Sequence, residues 1–106
     1  MASVGDYFRC RCLPTSVRVK AYSEPPGGAG HYLTTLAPGT YFGPVEMVIQ
    51  NHGFITVLVR GYWMNVGKFD GDDPMGRYVS FAFVVSPRDV RSWEKFGWQH
   101  QLHQLQ

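Results

Sequence analysis

Residues 54–66 read FITVLVRGYWMNV, and the fold follows from how those letters alternate. In an extended chain Ile55, Val57 and Val59 share one side, and Phe54, Thr56, Leu58 and Arg60 share the other. Both sides carry apolar bulk, so the stretch predicts a strand covered on more than one face. Gly61 interrupts it, and YWMNV resumes as a further short strand. Just upstream VEMVIQ alternates in the same way, and NHG before FITVLVR reads as a hairpin connection. Further out, SVRVKAY at 16–22 has a clean period of two, with Val17, Val19 and Ala21 opposite Arg18 and Lys20. EPPGGAG can only be a loop, because proline restricts the backbone and glycine loosens it. HYLTTL and TYF flank the turn LAPGT, KFDGDDPMG reads as a long polar loop, and RYVSFAFVV as the longest strand. Tyr7 to Cys12 alternates weakly and stops at Pro14.

After residue 85 the pattern changes. Ser86 suits a helix N-cap, Pro87 the first helical position and Asp89 the acid of a capping box. Val90, Trp93 and Phe96 fall on one helical face, and Gly97 is placed to end it. Trp98, Leu102 and Leu105 allow a further amphipathic turn. At 106 residues the chain fits one domain. Its expected parts are an N-terminal strand or arm at 1–15, a β-barrel at 16–85, a helix at 86–97 and a tail at 98–106. The fold class is mainly β: a small antiparallel barrel or strongly bent sheet with a C-terminal helix.

Composition agrees. Aromatics make up 15% and charged residues only 17%, with 12 Gly and 7 Pro, which suits short strands and tight turns better than helices. The net charge of +2 is too small for a dedicated nucleic-acid binder, so any such binding should be weak and salt-sensitive. The first fifteen residues contain no apolar signal-peptide core, and FAFVV is far too short to cross a bilayer. A cytoplasmic setting without membrane contact is expected.

Few residues announce chemistry. Cys10 and Cys12 with His100 and His103 supply the donors of a tetrahedral zinc site. The CxC spacing is tight, however, and the two halves stand almost ninety residues apart, so reduced, metal-free cysteines are expected. In DGDDPMG the acids Asp70, Asp72 and Asp73 cluster, Pro74 intrudes, and no calcium-loop glutamate follows. No local signature pairs either cysteine with a histidine for nucleophilic catalysis, and GGAG lacks the Lys and Ser/Thr of a phosphate loop. Glu24, Glu46 and Glu94 stand alone. An enzyme is not expected, nor a cofactor. The aromatics are the better signal. Tyr22, Tyr32, Tyr41, Phe42, Tyr62 and Trp63 fall at strand ends and loops, where a small barrel presents a groove for peptides or bases. Arg18 and Lys20 are interleaved with them, and Arg9, Arg11 and Arg60 lie on other strands. The expected function is a non-catalytic protein-interaction module that binds a peptide or a partner-protein surface. A weak binder of single-stranded RNA is the alternative.

Two resemblances sharpen these expectations. VRVKAYSEPPG, LAPGTYF and GFITVLVRGYWMNV together resemble the bacterial-type SH3 domains over residues 16–67. Val17, Val19, Pro25, Gly39, Thr40, Trp63 and Val66 stand at the family's marked positions. The chain departs from the pattern at Met64, where a glycine is missing before it, and in having RYVSFAFVV and a helix beyond the minimal barrel. The resemblance implies an SH3-like β-barrel acting as a non-catalytic module for peptides, polymers or neighbouring domains. Separately, the MASVG start and the Leu105-Gln106 end resemble a leader protein cut from a picornavirus polyprotein. That resemblance implies a small antagonist of host innate immunity.

Overall fold

The computed structural model describes residues 2–12, 18–25, 32–51, 53–69 and 75–86. These residues form nine strands: β1 (Tyr7–Cys10), β2 (Lys20–Tyr22), β3 (Tyr32–Thr35), β4 (Tyr41–Phe42), β5 (Met47–Asn51), β6 (Phe54–Val59), β7 (Tyr62–Phe69), β8 (Tyr78–Ser80) and β9 (Ala82–Val85). Every pairing between them is antiparallel. The helix and tail expected at 86–97 and 98–106 lie, beyond Ser86, outside the described residues.

The meander β5–β6–β7 is the frame. Its first turn joins Asn51 to Phe54, which pair directly, and Gly53 there has φ +80°. The second turn joins Val59 to Tyr62 through Arg60 and Gly61, both at positive φ (50° and 84°). That is the backbone of a type I′ hairpin, whose twist matches the strands it joins. The unusual conformation at Arg60 is held by its own N–H, which donates to Glu46 Oε2 at 3.0 Å.

Two sheets result, one of six strands in the order β3-β2-β7-β6-β5 with β8 also on β7, and one of three in the order β4-β1-β9. The expected closed barrel is therefore not formed. Closure would need the outer strands β3 and β5 to pair, and they remain the two ends of the larger sheet. RYVSFAFVV breaks at Phe81: β8 pairs with β7, while β9 pairs with β1 in the other sheet. At the corner the Phe81 N–H donates to the Val66 carbonyl at 2.8 Å, and the Phe81 carbonyl accepts from the Arg11 N–H at 3.0 Å. One residue thus stitches both sheets together.

The core lies between the sheets. Val19, Ala21, Ile55, Val57, Val59, Met64 and Val66 from the larger sheet meet Phe8, Cys10, Phe42 and Ala82 from the smaller. Phe8 and Phe42 are cross-strand partners with rings stacked at 5.5 Å. The alternation read from the sequence accounts for this side: Val19 and Ala21 are buried, while Lys20 between them is exposed.

Candidate binding cleft beside β7

Along one edge β7 has two partners. β2 pairs at Trp63 and Met64, and β8 pairs at Gly67, Lys68 and Phe69. Between them, around Asn65, lies a cleft of about 380 Å³. Its position follows from the pleat. Lys20 and Tyr22 project on the face of β2 opposite buried Ala21, and Phe54 and Thr56 project opposite Ile55 and Val57. A register shift between Ile55 and Thr56 puts Asn65 opposite Thr56, and Lys68 opposite Phe54. That irregularity keeps Asn65 and Lys68 on one face although they are three residues apart.

The cleft has a polar floor, apolar walls and a cationic rim. Asn65 lies at the floor, where its Oδ1 accepts from the Thr56 hydroxyl at 2.7 Å. Thr56 is 1% exposed and Asn65 8%, so this is a buried polar pair. The hydrogen bond satisfies one end of the amide. The two N–H groups at its other end have no partner among the described residues, whereas buried polar groups are nearly always paired. The walls are Tyr22, Phe54, Val79 and Phe81, with Val79 half exposed. Arg18, Lys20 and Lys68 complete the lining, which contains no carboxylate among the described residues. Among the described residues Lys20 and Lys68 form no ion pair.

Not all of the aromatic and basic residues singled out from the sequence converge. Arg18, Lys20 and Tyr22 come together in the cleft. Tyr32 supports it from β3: its ring meets Tyr22 edge-on at 5.9 Å, and its hydroxyl lies 2.6 Å from Thr35 Oγ1. Trp63 is the cross-strand partner of Tyr22 and shares its face. Tyr62 instead packs against the core, and Phe42 is fully buried within it. Tyr41 belongs to the smaller sheet, where the Arg9 guanidinium stands 5.1 Å from its ring centre. Asn65, Lys68, Phe54, Val79 and Phe81 escape a reading of the sequence. Asn65 does leave a trace there, as a lone amide in the apolar run YWMNV. Lys68 reads as the start of a loop but is in β7.

The cysteines do not share a surface. Cys10 is buried in β1, and Cys12, past the end of that strand, is exposed; both are free thiols. Burial, reinforced by nearby Cys12, pushes the Cys10 thiol up to about 12, which makes it a poor nucleophile at neutral pH. His31, His52, His100 and His103 lie outside the described residues. Among the described residues no three of His, Cys, Asp and Glu gather as metal donors, and no helix is long and apolar enough to cross a membrane. No family model, curated protein or solved structure matches this chain.

Proposed function

We propose that this chain is a non-catalytic interaction module whose cleft beside β7 receives an acidic segment of a partner protein. The observation that carries this reading is the pairing of a cationic rim, without a carboxylate among the described residues, with the half-satisfied amide of buried Asn65. A carboxylate entering the cleft accepts from that amide and from Lys20 or Lys68, and such charge-assisted bonds are the stronger kind. An apolar neighbour in the same segment packs against Phe54, Val79 and Phe81. The cleft has room for one or two side chains, so affinity comes from a short motif rather than a broad surface.

The test is titration calorimetry with a synthetic peptide alternating Glu with Leu and Phe, beside a control in which Lys replaces Glu. The acidic peptide should bind in the micromolar range, corresponding to about −8 kcal/mol, and the control should not. Lys20→Glu with Lys68→Glu should weaken binding by at least about 100-fold, or ~3 kcal/mol, since each adds repulsion as well as removing attraction. In a labelled sample the side-chain amide signals of Asn65 should shift on binding. Equal affinity for both peptides, or an Asn65 amide that stays in place at saturation, rules the reading out.

A further inference from the structure

The smaller sheet turns one face to the core and the other outward. Cross-strand pairing places Tyr41 and Phe83 directly on either side of Arg9, and Tyr7 opposite Val85, all on the outward face, while Phe8, Phe42 and Cys10 fill the inner one. Arg11 lies just past the end of β1, and its contact with the outward Phe83 ring puts its guanidinium on the same side. Each guanidinium is held in place. Arg9 stands 5.1 Å from the Tyr41 ring centre and its Nε–H donates to the Gly39 carbonyl at 3.3 Å. Arg11 stands 5.8 Å from the Phe83 ring centre and donates to the Ser80 carbonyl at 2.9 Å. Both acceptors are neutral, so the arginines keep their full charge and their remaining donors. The three carboxylates among the described residues are Asp6, Glu24 and Glu46, and none lies on these strands. Phe83 remains 40% exposed.

We infer that this outward face is a second binding surface, taking a short stretch of single-stranded nucleic acid. The Arg9 guanidinium leans towards β4, over Tyr41, and the Arg11 guanidinium towards β9, over Phe83, so the two cations and two rings spread across the width of the sheet. A phosphate chain crossing β1 meets the two fixed guanidiniums in turn, and its bases reach the Tyr41 and Phe83 rings or stack on the guanidinium planes. An acidic peptide would use the charges and leave the rings idle. The described residues carry seven cations against three acids.

The experiment is fluorescence anisotropy of a labelled oligouridylate of about ten nucleotides, a length within the usual single-strand site sizes, titrated with the full chain over a salt series. Binding should be clear at low salt and fade as salt rises. Arg9→Gln with Arg11→Gln should weaken it at least about tenfold and make the log–log salt slope shallower by about 1.4, at roughly 0.7 for each phosphate no longer neutralised. Phe83→Ala should weaken it about fivefold to 100-fold with the slope unchanged, because a stacked base and not a phosphate is lost. Arg11→Lys should keep the slope and lose part of the affinity. Chemical-shift changes on the wild-type chain should fall on residues 7–11 and 82–85, which locates the site even if a variant folds poorly. No binding at low salt overturns the inference. So do an unchanged slope in the double arginine variant and shifts centred on residues 65–68. Acidic-peptide binding by the double arginine variant shows separately whether the cleft still works.

Discussion

Thr56 and Asn65 are the two polar side chains that the described core admits, and the Thr56 hydroxyl donates to Asn65 Oδ1 across the β6–β7 ladder. Removing one orphans the other. Thr56→Val or Asn65→Leu alone should each cost about 1–3 kcal/mol, the penalty of an unpaired buried group. The two together should cost clearly less than the sum, with a coupling of ~1 kcal/mol or more in a double-mutant cycle read by urea unfolding. The double variant should also lose the acidic peptide while staying folded, which separates stability from binding; additive losses would mean the pair is not coupled. Cys10 makes a second point. Its folded thiol is raised to about 12 from an ordinary 9.0, mainly by burial. The unfolded chain therefore releases this proton first as pH rises. The stability tied to the neutral thiol is complete below pH 9, drains away between about 9 and 12, and amounts to on the order of 4 kcal/mol. Cys10→Ala should flatten that part of the stability–pH curve relative to wild type. Iodoacetamide near pH 8 should modify Cys12 and spare Cys10 until denaturant is added. In the sequence both cysteines look alike, because CxC in a strand implies one shared face. What separates them is that β1 ends at Cys10, and nothing in the spacing says so.

Among the elements β7 matters most, since it touches β6 along one edge and both β2 and β8 along the other. Gly67 is what lets β8 approach: a Cβ there would collide with the Tyr78 ring, which lies across it and 5.6 Å from Phe69. An aromatic ring covering a strand glycine is a known way to recover lost packing. Its partial burial raises the Tyr78 phenol, with Ser80 and the charge of Arg11 pulling the other way. Gly67→Ala should expel the ring, cost about 1–3 kcal/mol, and bring the phenol back down towards its ordinary value. Tyrosinate absorbance followed through alkaline pH checks the last point, and an unmoved titration would show that the ring stays in place. Much at this scale is legible in the sequence. The β5–β6–β7 meander, its two turns and the buried side of FITVLVR follow from alternation and from Gly53 and Gly61. Three things are not. SVRVKAY yields a described strand only at Lys20–Tyr22, RYVSFAFVV divides at Phe81, and YWMNV runs on to Phe69. In each case a strand starts, stops or changes sheet because of a neighbour distant in sequence, and local periodicity carries no record of that neighbour. The cleft is half visible for the same reason: Arg18, Lys20 and Tyr22 sit on one readable stretch, while Lys68, Val79 and Phe81 arrive only through the β7–β8 pairing.

At the scale of the whole molecule, the first strand holds together what the rest of the chain builds. β1 lies between β4 and β9, so it joins segments more than seventy residues apart through its ladder to Ala82–Val85. Pairings of that separation are entropically demanding to form and are usually among the last to be rewarded in folding. They also concentrate the consequences of losing one element. Deleting residues 2–10 removes Phe8 and Cys10 from the core, each burial contributing about 1.5–3 kcal/mol. It exposes the stacked face of Phe42 and leaves β4 and β9 with bare edges. Natural domains have only about 5–15 kcal/mol in hand. Because Val57, Met64 and Val66 of the larger sheet belong to the same core cluster, the loss does not stay local. The truncated chain should therefore lose its cooperative thermal transition and near-ultraviolet signal, and hydrogen exchange in β6 and β7 should become as fast as in the remnants of the smaller sheet. If the larger sheet instead kept its slow amides and a sharp transition after the deletion, the two sheets would be separate folding units, and the shared core would not be what binds them into one.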